Sequence, residues 1–303
     1  MSISACALCP RLCRVPREED RPAGGFCGMP ANPVIARAAL HFGEEPCISG
    51  TAGSGTVFFS GCSLRCRFCQ NHPISHDNFG QPVSIERLAA IFRELEEQGA
   101  HNINLVNPTH FAAAIRKALL LYRPNVPVVY NSSGYERVET LRSLEGLVDV
   151  YLPDLKYVSA ELASALSGAP DYFARAAAAI LEMARQTGPM TLDENGLAVR
   201  GTMVRHLVLP AHTRESIAVL DWLAAHKDAV WVSLLFQYTP VLPCPDHPEL
   251  NRPLTARECD KVWNAMLERG ITDGYVQDRQ SSGTQYIPSF DLTGVREKGD
   301  KPG

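Results

Sequence analysis

The sequence predicts an α/β protein: a partial (β/α)6 TIM-like barrel behind a small cysteine-rich N-terminal segment. Two observations predict the barrel. Apolar, β-branched runs alternate with amphipathic helical stretches six times from residue 57 onward, and such alternation builds a parallel sheet covered by helices. Six units are too few to close an eight-stranded barrel. The third observation concerns the segment: residues 1–30 hold four cysteines in a Pro/Gly-rich stretch without helical periodicity. The expected domains are a cysteine-rich metal-binding segment at 1–50, the barrel at 51–291 and a loose polar tail at 292–303.

The elements follow in order. Residues 33–38 read as a β-rich lead-in. Val57-Phe58-Phe59 is the first barrel strand, broken at Gly61. Ser84 can cap a helix whose apolar positions Ile85, Leu88, Ile91, Phe92 and Leu95 recur with helical period. Strands are expected at 103–106, 126–130, 147–152, 203–209 and 230–236. Helices are expected at 109–123, ending before Pro124, at 135–144, ended by Gly146, and at 159–167 and 171–186, parted by Gly168-Ala169-Pro170. Asn195-Gly196 marks a hairpin turn, and Thr213 caps the following helix. Thr255 and Glu258 form a capping box for a helix to about residue 269. A last short strand falls at 274–277.

Composition narrows the function. The 303 residues are 45% apolar and 20% charged, with a net charge of −4, so nothing points to a nucleic-acid partner or an anionic membrane surface. No long apolar run predicts a membrane span, and nothing at the N-terminus reads as a signal peptide. A cytoplasmic location is expected. Ten cysteines in such a chain argue for metal binding or catalysis over disulfides.

The chemistry centres on Cys62, Cys66 and Cys69, spaced C-x3-C-x2-C in the loop after the first strand. Closely spaced thiolates are the usual ligands of iron–sulfur clusters. Three local thiolates leave one iron of a cubane open to an outside ligand. Zinc prefers four ligands built from C-x2-C pairs, and three cysteines cannot all pair as disulfides. A second group, Cys6, Cys9, Cys13 and Cys27, could hold either zinc or a further cluster, or remain buried free thiols. Cys47, Cys244 and Cys259 read as packed thiols. In α/β barrels the chemistry sits at the carboxyl ends of the strands. Here those ends give Asn107 and Thr109, then Asn131-Ser132-Ser133-Gly134, then Asp154-Leu155-Lys156, then His212, then Gln237-Tyr238.

The C-x3-C-x-aromatic-C run after a strand resembles the radical S-adenosylmethionine (SAM) superfamily. Over roughly residues 56–240 the chain is similar to the pyruvate formate-lyase activating enzyme group. The resemblance implies that Cys62, Cys66 and Cys69 hold a [4Fe-4S] cluster, and that SAM chelates the fourth iron through its amino and carboxylate groups. A reduced cluster would pass one electron to the sulfonium, and the 5′-deoxyadenosyl radical so formed would abstract hydrogen from a substrate. Phe68 would pack near adenine. Asp154 and Lys156 would contact ribose and the SAM carboxylate, with Asn131, Ser132 and Ser133 lining the site and His212 touching ribose. Asn107 and Thr109 stand where these families usually carry Gly-Gly-Glu for the SAM ammonium. A reductant such as flavodoxin or ferredoxin is implied, and a glycyl-radical enzyme is the partner suggested by this group. Radical modification of another peptide or a small molecule is the rival within the class. A non-catalytic metal-binding module is the rival outside it.

Overall fold

In the computed structural model of the chain, residues 2–277, 283 and 288–296 are described. The elements run β1 (Val34–His41), α1 (Pro46–Ser49), β2 (Ser54–Phe59), α2 (His72–Ser75), β3 (Gln81–Pro82), α3 (Ile85–Glu97), β4 (Ile103–Val106), α4 (Ala112–Leu121), β5 (Val128–Ser132), α5 (Val138–Arg142) and β6 (Val150–Pro153). They continue as α6 (Ala160–Ser167), α7 (Tyr172–Thr187), β7 (Thr191–Leu192), β8 (Ala198–Leu207), α8 (Thr213–Ala224), β9 (Trp231–Leu235), α9 (Ala256–Glu268) and β10 (Gly274–Gln277).

One sheet carries the order β10-β9-β8-β6-β5-β4-β2-β1-β3. Strands β2, β4, β5, β6, β8, β9 and β10 pair in parallel. The sheet is not closed, so the architecture is the partial barrel that the alternation predicts, with β10 as a seventh parallel strand. The central strands are buried on both faces, as their apolar runs require: β2 and β5 have every residue buried. Two apolar cores lie between sheet and helices, one under α3 and α4 around Phe59, Phe92 and Leu105, the other under α6 to α9 around Tyr172, Leu220 and Leu234.

The predicted helix starts have physical counterparts. Ser84 Oγ accepts from Arg87 N at 3.0 Å, and Thr255 and Glu258 form the reciprocal capping box. The turn at 193–196 joins β7 to β8 in an antiparallel pair. Other boundaries moved. Thr213 is the first helical residue of α8, and His212 takes the cap position without a side-chain cap bond. Helix α5 covers only 138–142, because Tyr135 and Glu136 are drawn down into the protein interior. Residues 109–111 form a single 3-10 turn ahead of α4.

Two expected segment boundaries also differ. Residues 34–50, expected to lie with the N-terminal segment, belong to the barrel: β1 pairs antiparallel with β2. The following loop enters the concave side of the sheet. Glu44 and Glu45 bond side chains of β4, β5, β8 and β9, which only a loop inside the barrel can do. Cys47 and Ile48 of α1 pack on Val129, Val150 and Met203 and plug the amino-terminal end of the strands. The start of the expected loose tail is bound: Ala38 N donates to Thr293 O at 2.8 Å, Arg87 Nε donates to Val295 O at 3.0 Å, and Val295 is buried. Residues 297–303 lie outside the described residues.

Candidate functional site

The carboxyl ends of the strands open on a cavity of about 250 Å³. Nearly every site residue expected from the sequence lines it: Cys62, Cys66, Phe68 and Cys69 from the loop after β2, Asn107 after β4, Asn131, Ser132 and Ser133 at the end of β5, and Asp154 and Lys156 after β6. Apart from the four N-terminal cysteines, which line a separate void, two expected residues do not. Thr109 is buried behind the wall, where its hydroxyl donates to Glu136 Oε1 at 2.5 Å. Glu136 also accepts from Tyr130, and its burial pushes the carboxyl up to about 7 against those hydrogen bonds. His212 faces a separate surface groove with Arg214 and Lys261, and its Nε2 meets Glu249 Oε1 at 3.3 Å. The cap position of α8 turns it away from the barrel mouth.

The cysteine loop is shaped by Gly61, which sits at φ +80; a Cβ there would fall 2.4 Å from Met29 Cγ. The chain therefore turns sharply at the end of β2 and lays the three cysteines along one rim. Each sulfur receives a donor. Leu64 N and Arg65 N point at Cys62 Sγ at 3.3 and 3.4 Å. Ser167 Oγ donates to Cys66 Sγ at 3.0 Å, and Ser75 Oγ to Cys69 Sγ at 3.3 Å. Hydrogen bonds directed onto sulfur suit thiolates that carry charge and tune a cluster's potential. Burial opposes that charge: it raises the Cys66 thiol and pushes Cys69 up to about 12. A bound iron–sulfur core would supply the compensation. Among the described residues no group of three or more His, Cys, Asp or Glu donors is drawn in to metal-binding distance. The three thiols stand as an open rim, and the chemistry of the donor set fits an iron–sulfur cluster.

The rest of the wall is polar and in part unsatisfied. Asn107 donates through Nδ2 to Gly61 O at 3.3 Å, which ties the end of β4 to the cysteine loop. Its Oδ1, Ser133 Oγ, Gln237 Oε1 and Asn71 Oδ1 are buried without a partner among the described residues, and all four residues line the cavity. Buried orphan groups of this kind mark a place for a polar ligand. Lys156 Nζ lies 2.5 Å from Asp154 Oδ2. Burial works against the ammonium, but the Asp154 carboxylate and the Cys66 sulfur hold it above the usual lysine range. Phe68 stands between Tyr157 and Tyr238, with ring centroids 6.5 and 6.4 Å away.

Tyr172 pins this wall from behind. Its hydroxyl donates to Ser133 O at 2.8 Å or Asp154 O at 2.9 Å and accepts from Lys156 N at 3.1 Å. Between those carbonyls runs Gly134, at φ +77, where a Cβ would fall 2.1 Å from Asp154 O. Gly134→Ala is therefore expected to force β5 and β6 apart, to cost roughly 1–3 kcal/mol of stability, and to displace Asp154 and Lys156 from the cavity wall. Thermal unfolding of the variant checks the cost.

The cavity floor was not anticipated. Arg205 of β8 donates through Nε to Glu45 Oε1 at 2.9 Å and through Nη2 to both Glu44 and Glu45. Ser233 Oγ donates to Glu45 Oε1 at 2.6 Å. Glu44 Oε1 accepts from Asn104 at 3.0 Å and Asn131 at 3.2 Å. Although burial alone would raise it, Arg205 holds the Glu45 carboxyl below its ordinary value. The available signal was Arg205 itself, a charge within a strand run, together with the Glu44-Glu45-Pro46 run.

The chain resembles known proteins as follows. A family model described as Radical SAM superfamily matches residues 56–223. An uncharacterized protein of Methanocaldococcus jannaschii is 32% identical over 267 residues, 85% of this chain and 72% of that protein. Among solved structures, Streptococcus suis SuiB aligns with a TM-score of 0.50 at 12% identity, over 74% of this chain and 48% of SuiB. This chain thus spans about half of SuiB, and at that identity the likeness is one of fold. Methylornithine synthase (PylB) aligns at a TM-score of 0.47 and 14% identity, over 80% of this chain and 72% of its own. A domain of a pyruvate-formate lyase-activating enzyme from Bacteroides vulgatus aligns at 0.36 and 13%, over 64% and 91%.

Proposed function

The chain belongs to the radical SAM superfamily, and from that premise we propose that Cys62, Cys66 and Cys69 hold its [4Fe-4S] cluster and that the cavity beside them binds SAM for hydrogen abstraction from a substrate at the barrel mouth. The observation that carries this reading is the rim of three hydrogen-bonded thiols facing the unsatisfied polar wall across one cavity. The bound cofactors supply one-electron cleavage of SAM to methionine and a 5′-deoxyadenosyl radical.

The chain's own residues bind and orient. Phe68 offers an aromatic face to adenine. Asn107 Oδ1 is a neutral acceptor for the SAM ammonium. Lys156 supplies a cation for the SAM carboxylate and Asp154 an acceptor for ribose, while Asn131, Ser132 and Ser133 complete the wall. Tyr172 and Gly134 fix the strand ends that carry them. A flavodoxin or ferredoxin would deliver the electron.

The substrate proposed first is a glycine Cα of a partner enzyme, as in activases. A small molecule or another peptide is favoured by one feature, the charged floor of Glu44 and Arg205, which suits a substrate bearing both signs of charge. Anaerobic protein given SAM and dithionite should form 5′-deoxyadenosine; no product from protein that holds about four irons would overturn the reading. With turnover established, a glycine-centred radical signal after incubation with a glycyl-radical enzyme supports the activase arm. Turnover without that signal assigns the other arm.

A further inference from the structure

The four N-terminal cysteines surround a second, much smaller void. Cys6, Cys9, Cys13 and Cys27 line it together with Arg17 and His110, and its volume is about 10 Å³. That is room for about one water-sized sphere. The cavity beside Cys62, by contrast, measures about 250 Å³. The smaller void suits a single ion better than a core of four irons and four sulfides.

The charge balance of this void is unusual. Arg17 is 2% exposed. Its guanidinium donates to the carbonyls of Met29 at 3.1 Å, Pro30 at 3.0 Å and His110 at 2.6 Å, and points Nη1 at Cys6 Sγ at 3.6 Å. Carbonyls satisfy its hydrogens but not its charge, and among the described residues no ion pair includes it. A buried unpaired charge costs several kcal/mol. Four neutral thiols would leave that cost standing. Four thiolates around a divalent ion carry a net charge of −2, so the guanidinium gains an opposite charge and one net negative charge remains. His110, 1% exposed, lines the same void, and its Nδ1 has no partner among the described residues. Its Nε2 meets Ser60 O at 2.7 Å, and since a carbonyl only accepts, Nε2 carries the proton and Nδ1 a bare lone pair.

We propose that Cys6, Cys9, Cys13 and Cys27 bind one Zn²⁺ ion, with Arg17 as the buried counter-cation of the tetrathiolate. Zinc suits four thiolates in a closed tetrahedral site, and loading draws the rim inward to bonds of about 2.3 Å. The ion would knit a segment with little core of its own. That segment braces the back of the other cysteine loop: Arg11 Nε donates to Ser63 O at 2.8 Å, Arg65 Nη2 to Cys27 O at 3.5 Å, and Met29 sits against Gly61. Zinc here is structural and braces the loop that carries Cys62, Cys66 and Cys69.

The test separates this site from the proposed cluster. Full-length protein with Cys62, Cys66 and Cys69 all replaced by alanine is purified anaerobically and its metals are counted by mass spectrometry. The expected result is about one zinc and no iron per chain. About four irons, meaning a second cubane, or neither metal overturns the proposal. In the same background, Cys9→Ser with Cys27→Ser should remove the zinc; zinc retained at one per chain overturns the ligand assignment. Arg17→Gln should keep the ligands and weaken zinc about 10- to 100-fold in competition with a chromophoric chelator, the range seen when groups behind metal ligands are changed. An unchanged affinity would remove the role given to Arg17.

Discussion

Replacing Cys66 with alanine is expected to reduce iron in anaerobically purified protein from about four atoms per chain to nearly none, and 5′-deoxyadenosine formation to the level of buffer with dithionite. Cys66 is buried like Cys62, both 7% exposed; it takes the Ser167 hydroxyl at 3.0 Å and shares a core cluster with Leu64, Tyr157 and Tyr172. With only two local thiolates left, a cubane has two irons without protein ligands, and an open site that served SAM becomes a site that sheds the cluster. The fold should survive, because the side chain lost is small and the barrel core around Tyr172 is untouched. Ser167→Ala is the informative companion. It deletes the hydrogen bond but no ligand, so it should keep the iron and shift the cluster's reduction potential. A Cys66→Ala protein that retains four irons and full turnover would falsify the assignment of the three thiolates.

Much of this site was legible in the sequence because its parts are local. The C-x3-C-x2-C spacing fixes three sulfurs within one loop, and the polar residues at the ends of β4, β5 and β6 converge simply because parallel strands end on the same side. Helix starts at Ser84 and Thr255 were readable for the same reason, since a cap bond spans only three residues. What the sequence hid depends on contacts across long separations. Glu44 and Arg205 lie 161 residues apart in the chain, and their charges, though visible, do not show that the two meet inside the barrel. Tyr172 sits in a helix whose pattern reads as ordinary core, yet its hydroxyl fixes two strand ends. Thr109 and His212 misled because position at a strand end does not fix where the side chain points. One turn of 3-10 helix sends Thr109 to Glu136, and the start of α8 sends His212 to Glu249. Arg17 reads as a surface residue among Glu18, Glu19 and Asp20, but the chain folds it inward and leaves those acids outside.

Arg205→Met should produce the largest loss of stability of any single change at the cavity, roughly 3–5 kcal/mol, the cost of breaking a buried pair by deleting one partner. Global stability of a folded chain is itself only about 5–15 kcal/mol, so the variant should approach its limit at neutral pH. The reason is asymmetric. Methionine fills much of the same space, but Glu45, fully enclosed, and Glu44, 11% exposed, would keep their charges with only Ser233, Asn104 and Asn131 to answer them. The pH dependence gives a signature that lost packing cannot imitate. In the native chain Arg205 holds the Glu45 carboxyl below its ordinary value, so its contribution is complete above about pH 4.3, the unperturbed value, and fades only as pH falls through the depressed value. Without Arg205, burial governs and the folded-state value rises above the unfolded one. The folded variant then binds more protons than its unfolded form, and its stability increases as pH falls. The gap between native and variant should therefore narrow steadily from pH 8 to pH 5 in denaturant melts. A gap that stays constant across that range would mean that the floor is held by packing, and that the charged triad does not set the shape of the cavity above it.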